Sequence, residues 1–230
     1  MLVTGVWGDL GQRLVEALAR HRVRLVAHSI DAGERARNLS KTAAAEARAF
    51  RLFTGDLCGD RASGERLARS ALAAFAGLDV VVNIIGTRVP SLSASPDEKE
   101  IEHAVGDLIR PASVISRAAA DAARRRGERC VIAHICDMPQ TSRTERALGM
   151  MLRTAIESMT RHQATQGADS GIEAYAFCRP SGTEDASRAP SPTAAHTLTD
   201  TFDTSLVPAV LNTVSGRATW LNGTALTIGQ

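Results

Sequence analysis

The first residues able to do chemistry stand at the amino terminus. Gly5, Gly8 and Gly11 follow Thr4 at three-residue intervals, between an apolar run and an amphipathic helix. Glycines at such a junction let the backbone turn tightly and come close to an anion. The helix N-terminus then offers free N–H groups and a partial positive charge, so the chemistry is phosphate binding. A second group, His134, Cys136 and Asp137, lies at the carboxyl end of the apolar run Cys130–Cys136. Alternation along a strand sends His134 and Cys136 one way and Asp137 the other. An imidazole and a carboxylate there could do acid/base work. The plainer expectations are a hydrogen-bonded core histidine and an inert thiol. The chain has one tyrosine, Tyr175, and two lysines, Lys41 and Lys99. The residue four after Tyr175 is Arg179, so no YxxxK pair, which would set a phenol and an ammonium on one helix face, occurs anywhere.

The elements that must position these residues alternate between strand and helix. The pattern predicts strands over Met1–Thr4, Val23–Ala27, Phe50–Phe53, Val80–Ile85, Cys130–Cys136, Ile172–Cys178 and Ala218–Ile228. It predicts helices over Leu10–Arg20, from an Asp31 cap to about Ala49, and over Ala62–Phe75, Glu98–Arg126 and Arg146–Ala164. Asp31 with Glu34 reads as a capping box, and Pro111 as a bend or local break. Strands separated by helices imply βαβ units and a parallel sheet. The expectation is an α/β fold: a Rossmann-type three-layer sandwich, doubly wound, with about seven strands in one domain over residues 1–230. The Pro/Ser/Thr-rich stretch 179–197 reads as a surface loop. It leaves a strand end where ligands bind in such sheets, so a lid is one reading and a plain exposed loop the other.

Composition narrows the function. The 27 basic and 25 acidic residues give a net charge of +2, which argues against a nucleic-acid or polybasic membrane surface. The one dense basic spot, Arg124-Arg125-Arg126, reads as a solvated helix end favoured by the macrodipole. Cys58, Cys130, Cys136 and Cys178 show no zinc spacing, and three of them lie in strand-like runs. No metal site is expected. No stretch reaches the ~20 apolar residues of a membrane span, and Met1 runs directly into the first strand, so a soluble cytoplasmic protein is expected.

The motifs resemble one family in order along the whole chain. Thr4-Gly5-x-x-Gly8-x-x-Gly11 looks like the TGxxGxxG turn of extended short-chain dehydrogenases/reductases. Gly55-Asp56-Leu57 resembles that family's Asp-hydrophobic pair at the adenine. Leu78–Gly86 resembles its LDVLVNNAG strand, with Asn83 and Gly86 in the polar and glycine positions. Gly171–Pro180 resembles GIRVNAVCPG, and Leu221–Ile228 the closing strand. The resemblance implies a site for NAD or NADP formed by Thr4, Gly5, Gly8, Gly11, Asp56, Leu57, Asn83 and Gly86.

Departures from the family pattern are concentrated at the cofactor and catalytic positions. Asp9 stands beside the phosphate position, where a carboxylate costs about 1–4 kcal/mol according to the local dielectric. His28-Ser29-Ile30 lacks an acid for a ribose diol and an arginine for a 2′-phosphate; Arg35 could substitute or simply lie on a solvated helix face. The family's Asn-Ser-Tyr-Lys set falls on Asp107, Asp137, Gly149 and Arg153. A glycine has no proton to give, and losing a general acid typically costs 10²–10⁴-fold. The resemblance therefore implies a degenerate member that binds NAD(P) weakly or not at all. It would serve as a subunit pairing with itself or with an active relative through Glu98–Arg126 and Arg146–Ala164. The small face Ala118-Ala119-Ala120-Ala122-Ala123 offers close helix approach there, or is simply solvated. Two alternatives stay open. One is a divergent enzyme, a lyase, cyclase, dehydratase or atypical reductase built on Asp137, Arg153, His134 or Asp107, in which Asp137 and Arg153 form either the reacting pair or a satisfied ion pair. The other is a redox sensor that binds dinucleotide without reacting.

Overall fold

A computed structural model describes residues 1–58, 60, 62–86, 93, 96–138, 142–179 and 205–228. Seven parallel strands form one sheet in the order β3-β2-β1-β4-β5-β6-β7. They are β1 (Leu2–Thr4), β2 (Arg24–Ser29), β3 (Ala49–Thr54), β4 (Val80–Ile85), β5 (Cys130–Cys136), β6 (Ile172–Cys178) and β7 (Ala225–Thr227). The helices are α1 (Asp9–Arg20), α2 (Glu34–Glu46), α3 (Ser63–Phe75), α4 (Glu98–Arg126), α5 (Arg143–Gly167) and α6 over 205–214. The expected three-layer, doubly wound α/β architecture is what forms.

Alternation along the central strands explains the layering. Val3 and Ala27 point to one face and pack with Leu14 and Leu18 of α1 and Leu206 and Val210 of α6. Leu2, Val26 and Val81 point to the other and pack with Leu67 of α3 and Ile115 and Ala119 of α4. β4 and β5 are buried along their whole length, which is why they read as unbroken apolar runs. Burying one such leucine contributes about 1.5–3 kcal/mol.

The boundaries of β4, α4, β5 and β6 fall where the sequence puts them. Other expectations need correction. Asp31 does not cap α2; its carboxylate accepts from the Gly33 amide at 2.8 Å in a local turn, and Gly33 is the cap. Helix α4 runs unbroken through Pro111. Helix α5 begins three residues earlier than expected, because Ser142 and Glu145 form a reciprocal capping box. The closing strand is short, and residues 219–221 form a 3₁₀ turn before it. Helix α6 has no counterpart in the sequence reading. The 179–197 loop lies outside the described residues apart from Arg179. Residues 124–126 form the exposed last turn of α4 as expected, closed by Gly127 at φ +65°.

The Ser142 box sits at the solvent-exposed start of the helix that carries Gly149 and Arg153. Ser142→Ala should cost about 1 kcal/mol, read as a lowered urea midpoint with an unchanged slope.

Candidate functional site

The glycine turn has the backbone geometry that a phosphate cradle requires. Gly5 has φ +77°, and a Cβ there would lie 2.4 Å from the Ile84 carbonyl oxygen, so only glycine makes this turn. A Cβ on Gly11 would lie 2.5 Å from Val6 Cα, so this glycine lets α1 pack on the turn. Gly8 has open space where its Cβ would be, and it starts α1 without any side-chain cap. The first amides of α1 are thus open to an anion. Asp9 turns outward to Arg35 at 3.1 Å, and both side chains are about two-thirds exposed. Arg35 is therefore solvated, as expected, and also offsets the carboxylate nearest the cradle.

Beyond the cradle, the described residues at the ends of β2 and β3 are held by local bonds. His28, near the end of β2, is buried; its Nε2 donates to the Gly55 carbonyl at 2.8 Å, its Nδ1 has no partner among the described residues, and no carboxylate stands there for a ribose diol. Burial holds its pKa below the ordinary value. The Asp56 carboxylate accepts the Cys58 amide at 2.8 Å. The cavity lined by Gly5, Trp7, Asp56, Leu57 and Gly86 is only about 50 Å³, far below the roughly 300–1,000 Å³ of ordinary ligand pockets.

Asn83 turns away from this cavity into the interior. Its Oδ1 accepts from the Thr4 hydroxyl at 3.1 Å, and its Nδ2 donates to Ser116 Oγ at 3.0 Å. The same Nδ2 lies 3.4 Å from His134 Nδ1, and His134 Nε2 reaches Gln163 Oε1 at 2.8 Å. The only pattern that satisfies every contact has His134 neutral with its proton on Nε2. Asn83, Ser116 and His134 are fully buried. His134 is thus a satisfied core histidine, its pKa pushed down to about 4 by burial.

The catalytic positions do not converge as a pair. Asp137 is held by Arg179, whose Nε lies 3.0 Å away and whose Nη2 also bonds it. Arg153 donates to Glu157 at 2.8 Å and to Thr227 Oγ1 at 2.6 Å. Asp107 pairs with Arg110 at 2.9 Å on α4. The expected Asp137–Arg153 pair is therefore replaced by two separate pairs. Register explains this: Cys136 lies opposite Cys178, which brings the next residues, Asp137 and Arg179, together across β5 and β6. Tyr175, fully buried, gives its phenol to Glu173 Oε2 at 2.5 Å on the opposite face, with burial raising its pKa further.

Sequence reasoning missed the residue at the centre. Met138 is 2% exposed and packs with Leu148, Leu152, Ile85 and Cys136. A Cβ on Gly86 would lie 3.0 Å from Leu152 Cδ2 and 3.2 Å from Met138 Cβ. A Cβ on Gly149 would lie 3.7 Å from Met138 Cγ. Methionine and leucine thus close over both glycines. The Cys136 and Cys178 thiols share a hydrogen bond across β5 and β6. That bond and burial raise the Cys136 pKa, while the bond and the nearby Arg153 guanidinium lower that of Cys178. No trio of His, Cys, Asp or Glu suited to a metal occurs among the described residues. Nor is any helix of the described residues long and apolar enough to cross a membrane.

Residues 1–186 match a family model described as short chain dehydrogenase. No curated protein matches the chain. Similar solved structures include an NADH-dependent reductase, A1-R′, complexed with NAD, at 15% identity and TM-score 0.77, with 99% of this chain and 94% of that one covered. A short-chain dehydrogenase/reductase mutant from Serratia marcescens has 17% identity, TM-score 0.78 and the same coverage. An NADPH-dependent reductase involved in bacilysin biosynthesis has 14% identity and TM-score 0.76, covering 98% of this chain and 95% of that one. At these identities the likeness establishes the shared fold.

Buried His134 links stability to pH. Its folded pKa of about 4 lies below the ordinary 6.5, so the unfolded chain takes up the proton first. Its contribution is whole above pH 6.5 and drains away as pH falls toward 4, by up to about 3 kcal/mol. Urea midpoints at pH 7 and 4.5 should show this loss, and His134→Gln should flatten that part of the profile.

Proposed function

The chain belongs to the short-chain dehydrogenase family, and from that premise we propose that it is a member whose catalytic centre is packed shut. It serves as a non-catalytic subunit, pairs with itself or with an active relative, and binds NAD(P) weakly or not at all. The observation that carries this reading is Met138, buried against Leu152 over Gly86 and Gly149, where the family pattern puts a phenol four residues before Arg153. A thioether has no proton to transfer, and Arg153 stays charged at any working pH.

The cofactor reading follows the same residues. The cradle at Gly5, Gly8 and Gly11 suits a phosphate, which supports residual affinity. His28 in place of a ribose acid and the closed volume beyond Gly86 oppose full seating of a dinucleotide. An enzyme built on Asp137 and Arg153 is less well supported, because each already holds another partner.

Pairing is supported by α5. Met150 and Met151 are 64% and 46% exposed, the only large apolar side chains so exposed among the described residues. Adjacent exposed apolar groups on a helix suit an interface. The alanine face of α4 does not serve this role, because Ala119, Ala120, Ala122 and Ala123 are buried in the chain's own core.

Two measurements test the reading. Fluorescence titration with NADH and NADPH should show no saturation below about 1 mM, against micromolar binding for a competent site. Ketone turnover by contaminant-free protein near the usual enzymic rate of about 10 s⁻¹ would end the proposal. Met150→Glu with Met151→Glu should convert an oligomer to monomer in sedimentation; a wild-type monomer that captures no active relative counts against the subunit role.

A further inference from the structure

A second cavity lies at the opposite end of the sheet from the glycine turn. It has a volume of about 650 Å³ and opens at the amino ends of β2 and β4, between α1, α3 and α6. That volume is within the range of ordinary ligand pockets. Its floor is apolar, with Leu18, Val23, Phe75, Val80, Leu211 and Val214. Its rim carries Arg22, Arg24, Arg48 and Arg217, with Asp79 the single carboxylate. None of these four arginines makes a salt bridge among the described residues. Arg24 instead lies over the Phe75 ring, 5.9 Å from its centroid, which joins the charged rim to the apolar floor.

The ends of α1 and α3 frame the cavity. Among the described residues only Arg22, at φ 55°, and Ala76, at φ 59°, are non-glycine residues in the left-handed region. Arg22 is on the rim of this cavity, and Ala76 stands between Phe75 and Gly77, which both line it. Such a conformation costs about 1–2 kcal/mol for a residue with a Cβ. Both residues close helices, Ala76 as the C-cap of α3 and Arg22 just past the end of α1, so they fix the walls of the cavity where those helices stop. At Arg22 this conformation keeps a guanidinium at a helix end where glycine would be easier.

We infer that this cavity binds a soluble single-chain amphiphile with a phosphate head and an alkyl or acyl tail. Guanidinium groups match phosphate oxygens two at a time, and four of them against one carboxylate favour a dianion over a carboxylate. The apolar floor takes the tail and excludes water beneath the head, which strengthens the ion pairing. A nucleic-acid strand would need a row of exposed stacking rings, and Arg24 already covers the one phenyl ring here. The site is independent of the family's cofactor position, so it stands or falls apart from the subunit reading above.

Calorimetric titration with decyl phosphate, kept below its micelle concentration, is the test. The full chain should bind it at least about 10-fold more tightly than decanoate, decanol or inorganic phosphate, a gap that reflects head and tail acting together. Arg48→Glu with Arg217→Glu should weaken binding at least 10-fold while the urea midpoint stays put. If that variant unfolds, Leu211→Trp, which fills the floor, should block binding with the rim charges intact. Absence of binding at about 1 mM, equal affinity for decanol, or binding only to phosphatidic acid vesicles would each overturn the inference.

Discussion

One buried amide sets the geometry of the carboxyl end of this sheet. Asn83 on β4 takes the Thr4 hydroxyl on β1 and gives its protons to Ser116 on α4 and His134 on β5. His134 passes the chain on to Gln163 of α5. Each group is an isolated polar atom in an apolar layer, and each unmet bond would cost about 1–3 kcal/mol. Together they fix how three strands and two helices meet. The network also takes both polar side chains that point inward from β4 and β5 at this level. Neither Asn83 nor His134 is left to face a ligand, and the strand ends are finished by other residues.

Those finishing residues decide what the site can do. A member of this fold that transfers protons needs a phenol, a cation and room for a flat ring at the ends of β4 and β5. Here Gly149 supplies no side chain, and Met138 occupies the adjoining volume. Methionine is flexible enough to fill an irregular gap without strain. The charges that remain have been satisfied locally: Asp137 by Arg179, Arg153 by Glu157 and Thr227, Asp107 by Arg110. An active centre normally keeps charged groups short of partners, at a cost in stability. This centre has the opposite character, with apolar contact and paired charge where reactivity would need neither.

Much of the fold was legible because burial on both faces leaves a simple signature. Val80–Ile85 and Cys130–Cys136 are unbroken apolar runs, and their strands end where the runs end. Helix α6 was harder, because Leu206 and Val210 follow a polar stretch and Pro208 lies between them. Their four-residue spacing was the available signal. The α5 start was readable from Ser142 and Glu145. Asp31 misled because its carboxylate had a nearer amide in Gly33 than any in the helix. At the site, the glycine roles were legible from their position between strand and helix. The partner of Asp137 was not, because it depends on strand register: only when Cys136 faces Cys178 does Arg179 arrive opposite Asp137. Met138 left no mark at all, since a lone methionine after a strand carries no pattern.

The two ends of the sheet now contrast in a way the family resemblance alone would not suggest. At the carboxyl end, where ligands usually bind in this architecture, the cavity that the described residues form beside the glycine turn holds about 50 Å³. At the amino end about 650 Å³ stays open beneath four arginines that make no salt bridge among the described residues. Leaving charge unpaired around an apolar hollow costs free energy through mutual repulsion, and the left-handed Arg22 adds to that cost. Apolar filling and ion pairing were available remedies, because both are used at the other end of the same sheet. Among the described residues, ion pairing is missing from the rim at one end and frequent at the other, which argues that packing alone does not explain the difference. Under the function proposed above, the end that carries chemistry in related folds is built for stability, and the end that is ordinarily structural is built to hold something.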